Sequence, residues 1–180
     1  MSDNCKKRIL FDVLRVISVI ACVCLVSWLF IKKNFYQQSE LAVVKPQFLF
    51  SLEDHLTTDF SLGEKNYYFE IMNSNESRAQ GLSDRAEIGS DGLLFVFNHS
   101  DFHGIWMKDM LFALDLIWLK DGVVVDFDLG VSKPEPGVSL AKLPIYQPKQ
   151  KANLVIEVPA GFVEQEAIKI GDELLIIQSK

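Results

Sequence analysis

Hydrophobic and polar positions fall into three patterns along this chain. From Ile9 to Ile31 every residue is apolar except Asp12, Arg15, Ser18 and Ser27. As a helix rising about 1.5 Å per residue, that run is long enough to cross a hydrocarbon core of roughly 30 Å. Further on the period drops to two. Tyr67, Phe69 and Ile71 alternate with Tyr68, Glu70 and Met72, and Leu154, Ile156 and Val158 share one face of Asn153–Val158. This is the spacing of half-buried strands. The third pattern is continuous: Leu93–Phe97 is wholly apolar, and Leu111–Leu119 is broken only by Asp115.

Turn residues divide these patterns into elements. Asp59–Leu62 and Tyr67–Met72 flank Gly63–Asn66 and predict a hairpin. Asn73-Ser74 offers an N-cap to a short helix over Asn75–Gln80, closed by Gly81. Asn98–His103 reads as a polar loop, and Gly104–Met107 as a strand. Asp121-Gly122 predicts a tight turn from Leu111–Leu119 into Val123–Asp128. Val131–Pro148 holds four of the six prolines and reads as an irregular excursion, with strand character at Val138–Leu143. Pro159-Ala160-Gly161 leads into a short helix around Phe162–Glu166, and Ile170–Glu173 turns into a closing strand at Leu174–Ile177. Asn34–Thr58 shows no period; Pro46 breaks it and Gln47–Leu52 reads as a short strand.

These elements predict a mainly β fold: a compact antiparallel or mixed β-sandwich or barrel-like domain with one or two short helices, behind an N-terminal transmembrane helix. The expected organisation is a basic tail over 1–8, an anchor over 9–31, a spacer over 32–58 and a β-domain over 59–180.

Charge narrows the partners. The chain of 180 residues carries a formal net charge of −6. Residues 1–33 hold six Lys/Arg and two Asp, so the remaining 12 basic and 22 acidic side chains give the body −10. An acidic body argues against nucleic acid and against an anionic membrane surface, both of which demand a positive footprint. Cys5, Cys22 and Cys24 all lie near the N-terminus. The β-domain therefore has no disulfide, thiolate nucleophile or cysteine metal site. Lys6-Lys7-Arg8 and Lys32-Lys33 flank the apolar run almost evenly and give only a slight bias toward an internal N-terminus. A cleaved signal peptide competes with the anchor, but the run is long and lacks a small-x-small site. So does a lipoprotein signal at Val19-Ile20-Ala21-Cys22, although apolar residues continue past Cys22.

Several short motifs recur in a fixed order. They are Arg78-Ala79-Gln80-Gly81-Leu82 with Arg85, Gly92 to Phe97, Trp106-Met107-Lys108-Asp109, Leu114-Asp115, Asp121-Gly122, Ile156 to Gly161, and Gly171-Asp172. In this order the chain resembles the family called Domain of Unknown Function 192, from about Tyr67 to Leu175. The resemblance implies a small, mostly β domain with one or two short helices, often found behind an export signal, and no assigned activity. The chain departs from the family pattern at Ser83, where Met is favoured, at Asp109-Met110, where Asn-Thr is favoured, and at Ala113, where Pro is favoured.

The charged residues within those motifs are the candidates for chemistry. Arg78, Arg85, Lys108, Asp115 and Glu157 with Trp106 would suit a cleft for a small anionic or sugar-like ligand. Around Arg85, Lys108 and Asp115 they would suit an acid–base enzyme with Asp115 as base. The structural alternative has Asp115 pairing with Lys108 or Arg85, or capping backbone N–H groups of a neighbouring turn. His99, Asp101 and His103 offer metal-ligating atoms, but a loop does not place both imidazoles on one face, so no metal or other cofactor is expected. Trp106, Phe102, Phe112 and Trp118 would suit an aromatic platform or, more commonly, a core. The reading is an anchored envelope protein. Its β-domain lies in the periplasm or otherwise outside the cytoplasm and binds a small ligand or an envelope protein without catalysis. The enzyme is the alternative.

Overall fold

Eight strands of this protein, in the computed structural model, pair in the order Ala42–Val43, Leu174–Ile176, Thr57–Leu62, Lys65–Met72, Gly92–Asp101, Ala152–Pro159, Leu114–Lys120, Val123–Val131. The structure describes residues 27–28, 42–43 and 46–177. The chain divides into two units, Met1–Leu41 and Ala42–Lys180. In the first, Ser27 and Trp28 are helical; the rest of the expected anchor at 9–31 lies outside the described residues. No helix among the described residues is long and apolar enough to cross a membrane.

The second unit holds β1 (Ala42–Val43), α1 (Pro46–Leu49), β2 (Thr57–Leu62), β3 (Lys65–Met72), α2 (Asn75–Gln80) and β4 (Gly92–Asp101). There follow β5 (Ile105–Trp106), β6 (Leu114–Lys120), β7 (Val123–Val131), a 3-10 turn at Leu140–Lys142, β8 (Ile145–Tyr146), β9 (Ala152–Pro159), α3 (Phe162–Gln165) and β10 (Leu174–Ile176). The fold is mainly β with a few short helices, and its principal strands form one curled sheet, a half-barrel, rather than two facing sheets. All pairings in it are antiparallel except β3 with β4, whose crossover carries α2.

The curl follows from the side chains. Phe60, Phe69, Leu94, Ile156, Ile117, Val124 and Leu174 belong to one buried cluster, although they come from strands across almost the whole sheet. Only a sheet wrapped around them can bring them together. At one rim the wrap closes: Val123 bridges Glu173, and the Val124 N–H donates to the Asp172 carbonyl at 2.9 Å. The other face is covered too. Leu93, Phe95, Leu116, Trp118 and Val155 form a second buried cluster with Ile105 of β5 and with Leu82, Met107 and Met110 from the loops. Successive residues of β4, β6 and β9 therefore enter opposite cores, which is why these strands read as unbroken apolar runs.

Local signals place most elements. The β2–β3 hairpin forms as the alternation predicts, with Tyr67, Phe69 and Ile71 facing the inner core. Asp121 and Gly122, at φ +52° and +87°, make the β6–β7 turn. α2 and α3 lie where their caps and turns put them.

Four stretches differ from expectation. Gln47–Leu52 is not a strand: Pro46–Leu49 is a helical turn that drops Leu49 into the core. Asn98–Asp101 prolongs β4 rather than forming a loop, because Asp101 pairs with Ala152 past an irregularity. Gly104–Ala113 is mostly turns; only Ile105–Trp106 is strand, paired with β8. Val138–Leu143 is not a strand and holds the 3-10 turn instead.

Candidate functional site

The last turn of α2 begins the site. Ser74 caps α2 by accepting the Ser77 N–H at 2.9 Å, and Ser77 Oγ accepts the Ser74 N–H in return. The helix thus starts at a fixed point and aims Arg78 back at β4. Arg78 Nη1 donates to the Asn73 carbonyl at 2.7 Å and to the Val96 carbonyl at 2.8 Å, while Nη2 donates to Asn75 Oδ1 at 2.6 Å. The guanidinium lies 5.3 Å from the Phe97 ring centroid.

After α2 the chain is fastened to the motif at 106–109. Ser83 Oγ donates to the Lys108 carbonyl at 2.8 Å, and the Asp84 N–H donates to the Asp109 carbonyl at 2.8 Å. Asp109 stands at φ +54°, in the left-handed region where Asn and Asp are the best tolerated side chains. The departure from Asn at this position is therefore conformationally mild. β8 holds the other side of the loop: Trp106 pairs with Ile145, and a Cβ on Gly104 would come within 2.7 Å of Ile145 Cγ2.

Between the two loops lies a cavity of about 270 Å3. Its walls include Arg78, Gln80, Gly81, Ser83, Phe95, Phe97, Trp106 and Met110, and Glu157 of β9 is at its base. Glu157 is only 5% exposed, and its register partners are Leu93 on β4 and Leu116 on β6. Among the described residues no hydrogen bond or ion pair reaches its carboxyl group. Burial pushes that group up to about 8, against an opposing pull from Arg85.

Of the residues singled out from the sequence, Arg78, Trp106 and Glu157 meet in this cavity. Arg85 stands behind it, with Nη1 and Nη2 donating to the two Glu70 oxygens at 2.7 and 3.1 Å. Burial pushes the Glu70 carboxyl up, but the hydrogen bonds from Arg85 and His55 hold it below its usual range. Lys108 is outside, paired with its neighbour Asp109 at 2.6 Å. Asp115 is sealed: Oδ1 accepts the Gly130 N–H at 2.8 Å, and Oδ2 accepts those of Gly161 and Val163 at 3.0 and 3.1 Å. It is the cap of the α3 turn. An acid–base cleft of Arg85, Lys108 and Asp115 is not formed, since none of the three lines the cavity.

The aromatic platform is not formed either. Trp118 is in the core with its Nε1 donating to Asp128 Oδ2 at 2.8 Å, while Phe102 is exposed. Among the described residues no group of three or more His, Cys, Asp or Glu side chains is placed to hold a metal ion. His103 instead stacks on Phe97 with centroids 3.7 Å apart. Phe95, Phe97 and Met110 were not foreseen in the site. The i, i+2 spacing of the two phenylalanines was the one signal for them, since it puts both on one face of β4.

Residues 58–176 match the model of the DUF192 family, described as "Uncharacterized ACR". No curated protein matches the chain. Two solved structures share the fold. One, described as a candidate transcription regulator from Sinorhizobium meliloti 1021, has a TM-score of 0.59 and 22% identity, with 68% of this chain and 95% of that one covered. The other, a protein of unknown function from Novosphingobium aromaticivorans, has a TM-score of 0.59 and 20% identity, with 74% and 91% covered. With about two thirds of its length inside the family model, the chain belongs to the DUF192 family.

Proposed function

We propose that this chain is a membrane-anchored, non-catalytic binding module of the cell envelope. Residues 9–31 anchor it, and the β-domain lies outside the cytoplasm. It takes a small polar molecule in the cavity between Arg78, Trp106 and Glu157. One observation carries the binding reading. A carboxyl group that is 5% exposed and has no partner among the described residues lies at the base of an open cavity. Among the described residues no fully buried side-chain oxygen lacks a hydrogen-bond partner, so the unpartnered Glu157 oxygens are reachable from the cavity, where a ligand or ordered water can bond to them. A cavity of about 270 Å3 lies just below the roughly 300 Å3 at which ligand sites commonly begin, so it suits only a small molecule. The non-catalytic reading rests on what surrounds Glu157. Arg78 is a permanent cation and no base, and Ser83 Oγ is already committed to the Lys108 carbonyl.

Native mass spectrometry of the full chain, released from membranes of its host, tests the binding. Wild type should carry a small molecule that Trp106→Ala loses. Trp106 is 43% exposed, so its removal leaves the core intact. A bare mass for wild type would sink the reading. A phosphatase fused to the C-terminus tests the topology, with activity expected only on the outer side.

A further inference from the structure

The charges around the cavity are unequal. Arg85 is neutralised by its two-pronged pair with Glu70. Arg78 is not: all its hydrogen bonds go to uncharged oxygens, and it joins no salt bridge among the described residues. Asp54 and Glu76 attract it only at longer range. Nη1 donates twice and Nη2 once, so two of the five guanidinium N–H groups are left over. Gly81 opens the space beside Glu157. A Cβ there would stand 3.3 Å from Phe95 Cζ and 3.9 Å from Glu157 Oε2.

Resting on the binding reading above, we propose that the ligand is a small organic carboxylate. Arg78 holds it as the countercharge, the carboxyl group of Glu157 donates a hydrogen bond to it, and its apolar part lies against Phe97, Met110 and Trp106. The alternatives fit less well. A cation would meet Arg78 and would need an ionised Glu157 amid Leu93 and Leu116. A neutral sugar would satisfy Glu157 but leave Arg78 without a countercharge. A carboxylate answers both, since an acid donating to a carboxylate makes a short, strong hydrogen bond.

One proton is shared in that contact, so binding depends on pH. The groups facing Glu157 are Arg85 from the turn after α2, with Glu70 of β3 behind it, and Arg78 of α2 across the cavity. β4 and β6 present Leu93, Phe95 and Leu116, and the overlying loop presents Trp106 and Met110. Burial keeps Glu157 protonated up to about pH 8, while a ligand carboxyl ionises near pH 4. Affinity is then level between the ligand's titration and that of Glu157, and falls above the latter, because an ionised Glu157 repels the ligand.

Isothermal titration of the full chain with benzoate, benzylamine and glucose, at pH 7 and pH 9, tests this. Benzoate should bind at pH 7 and roughly tenfold more weakly at pH 9. Glu157→Gln should bind benzoate with one affinity at both values, and Trp106→Ala should weaken it at pH 7. Should Glu157→Gln fail to fold, the wild-type pH series decides alone. Benzoate binding that ignores pH in wild type would overturn the role of Glu157. Binding of benzylamine or glucose with no binding of benzoate would overturn the carboxylate while leaving a binding module in place. No binding of any probe would overturn both.

Discussion

The carboxylate of Asp115 accepts the Gly161 N–H at 3.0 Å, across 46 positions of sequence. With the Gly130 and Val163 N–H groups it joins the start of β6, the end of β7 and the α3 turn. Three backbone donors, the Val163 N–H buried among them, depend on that one side chain. Asp115→Asn would set an amide NH2 against some of them and should lower stability by about 2–4 kcal/mol. Urea unfolding measures this. Because Asp115 does not line the cavity, benzoate affinity of the folded variant should stay within a factor of two.

Glu157 links stability to pH, and the sign is fixed by the direction of its shift. Its carboxyl is raised from 4.5 to about 8, so between those values the folded chain holds a proton that the unfolded chain releases. Stability contributed by this group is whole below pH 4.5 and falls as pH rises through 8. At about 1.4 kcal/mol per unit, the effect is on the order of several kcal/mol. Glu157→Gln should melt close to wild type at pH 5 and well above it at pH 9. Equal differences at the two values would contradict the burial argument.

Asp109 tests whether the departure from the family motif is structural. At φ +54° a β-branched side chain is strained by about 1–2 kcal/mol, whereas Asn fits as well as Asp. Asp109→Asn should leave the melting temperature within a degree or two. Asp109→Val should lower it by roughly 2–8 °C. The exposed ion pair to Lys108 adds little.

Gly92 marks a close approach of β4 to β9. A Cβ there would lie 2.6 Å from the Glu157 carbonyl oxygen and 2.8 Å from Val158 Cγ1. Gly92→Ala should cost about 2–3 kcal/mol by forcing the strands apart, and should displace Glu157 from the cavity as well. A crystal structure or amide exchange along β9 would show the shift; wild-type stability in the variant would refute the contact.

Elements written in adjacent residues were legible. Ser74 with Ser77, the alternation of Tyr67 to Met72, and Asp121-Gly122 each state their conformation within a few positions. Elements that exist through distant pairing were not. Gly104–Met107 and Leu111–Ala113 looked like strand because they are largely apolar, yet beyond Ile105–Trp106 they are loop, from which Met107 and Phe112 cover the outer face of the sheet. Asn98–Asp101 looked like loop because it is polar, yet β9 continues to pair with it. Gly104 to Gly122 holds charges of two fates. Lys108 and Asp109 face solvent, and Asp115 is a buried cap.

By itself the sequence determined the β class, the two hairpins, both caps and the residues worth testing, because each of these depends on neighbours along the chain. Tertiary structure decided which of those residues meet. Arg78 lies on the crossover between β3 and β4, Trp106 on a two-residue strand held by β8, and Glu157 on β9. Their shared cavity exists because a parallel pairing, an antiparallel pairing and a loop clasp coincide. The same packing seals Asp115 away from Lys108. No local pattern encodes that separation, because it arises from which strands lie side by side when the sheet curls around its core.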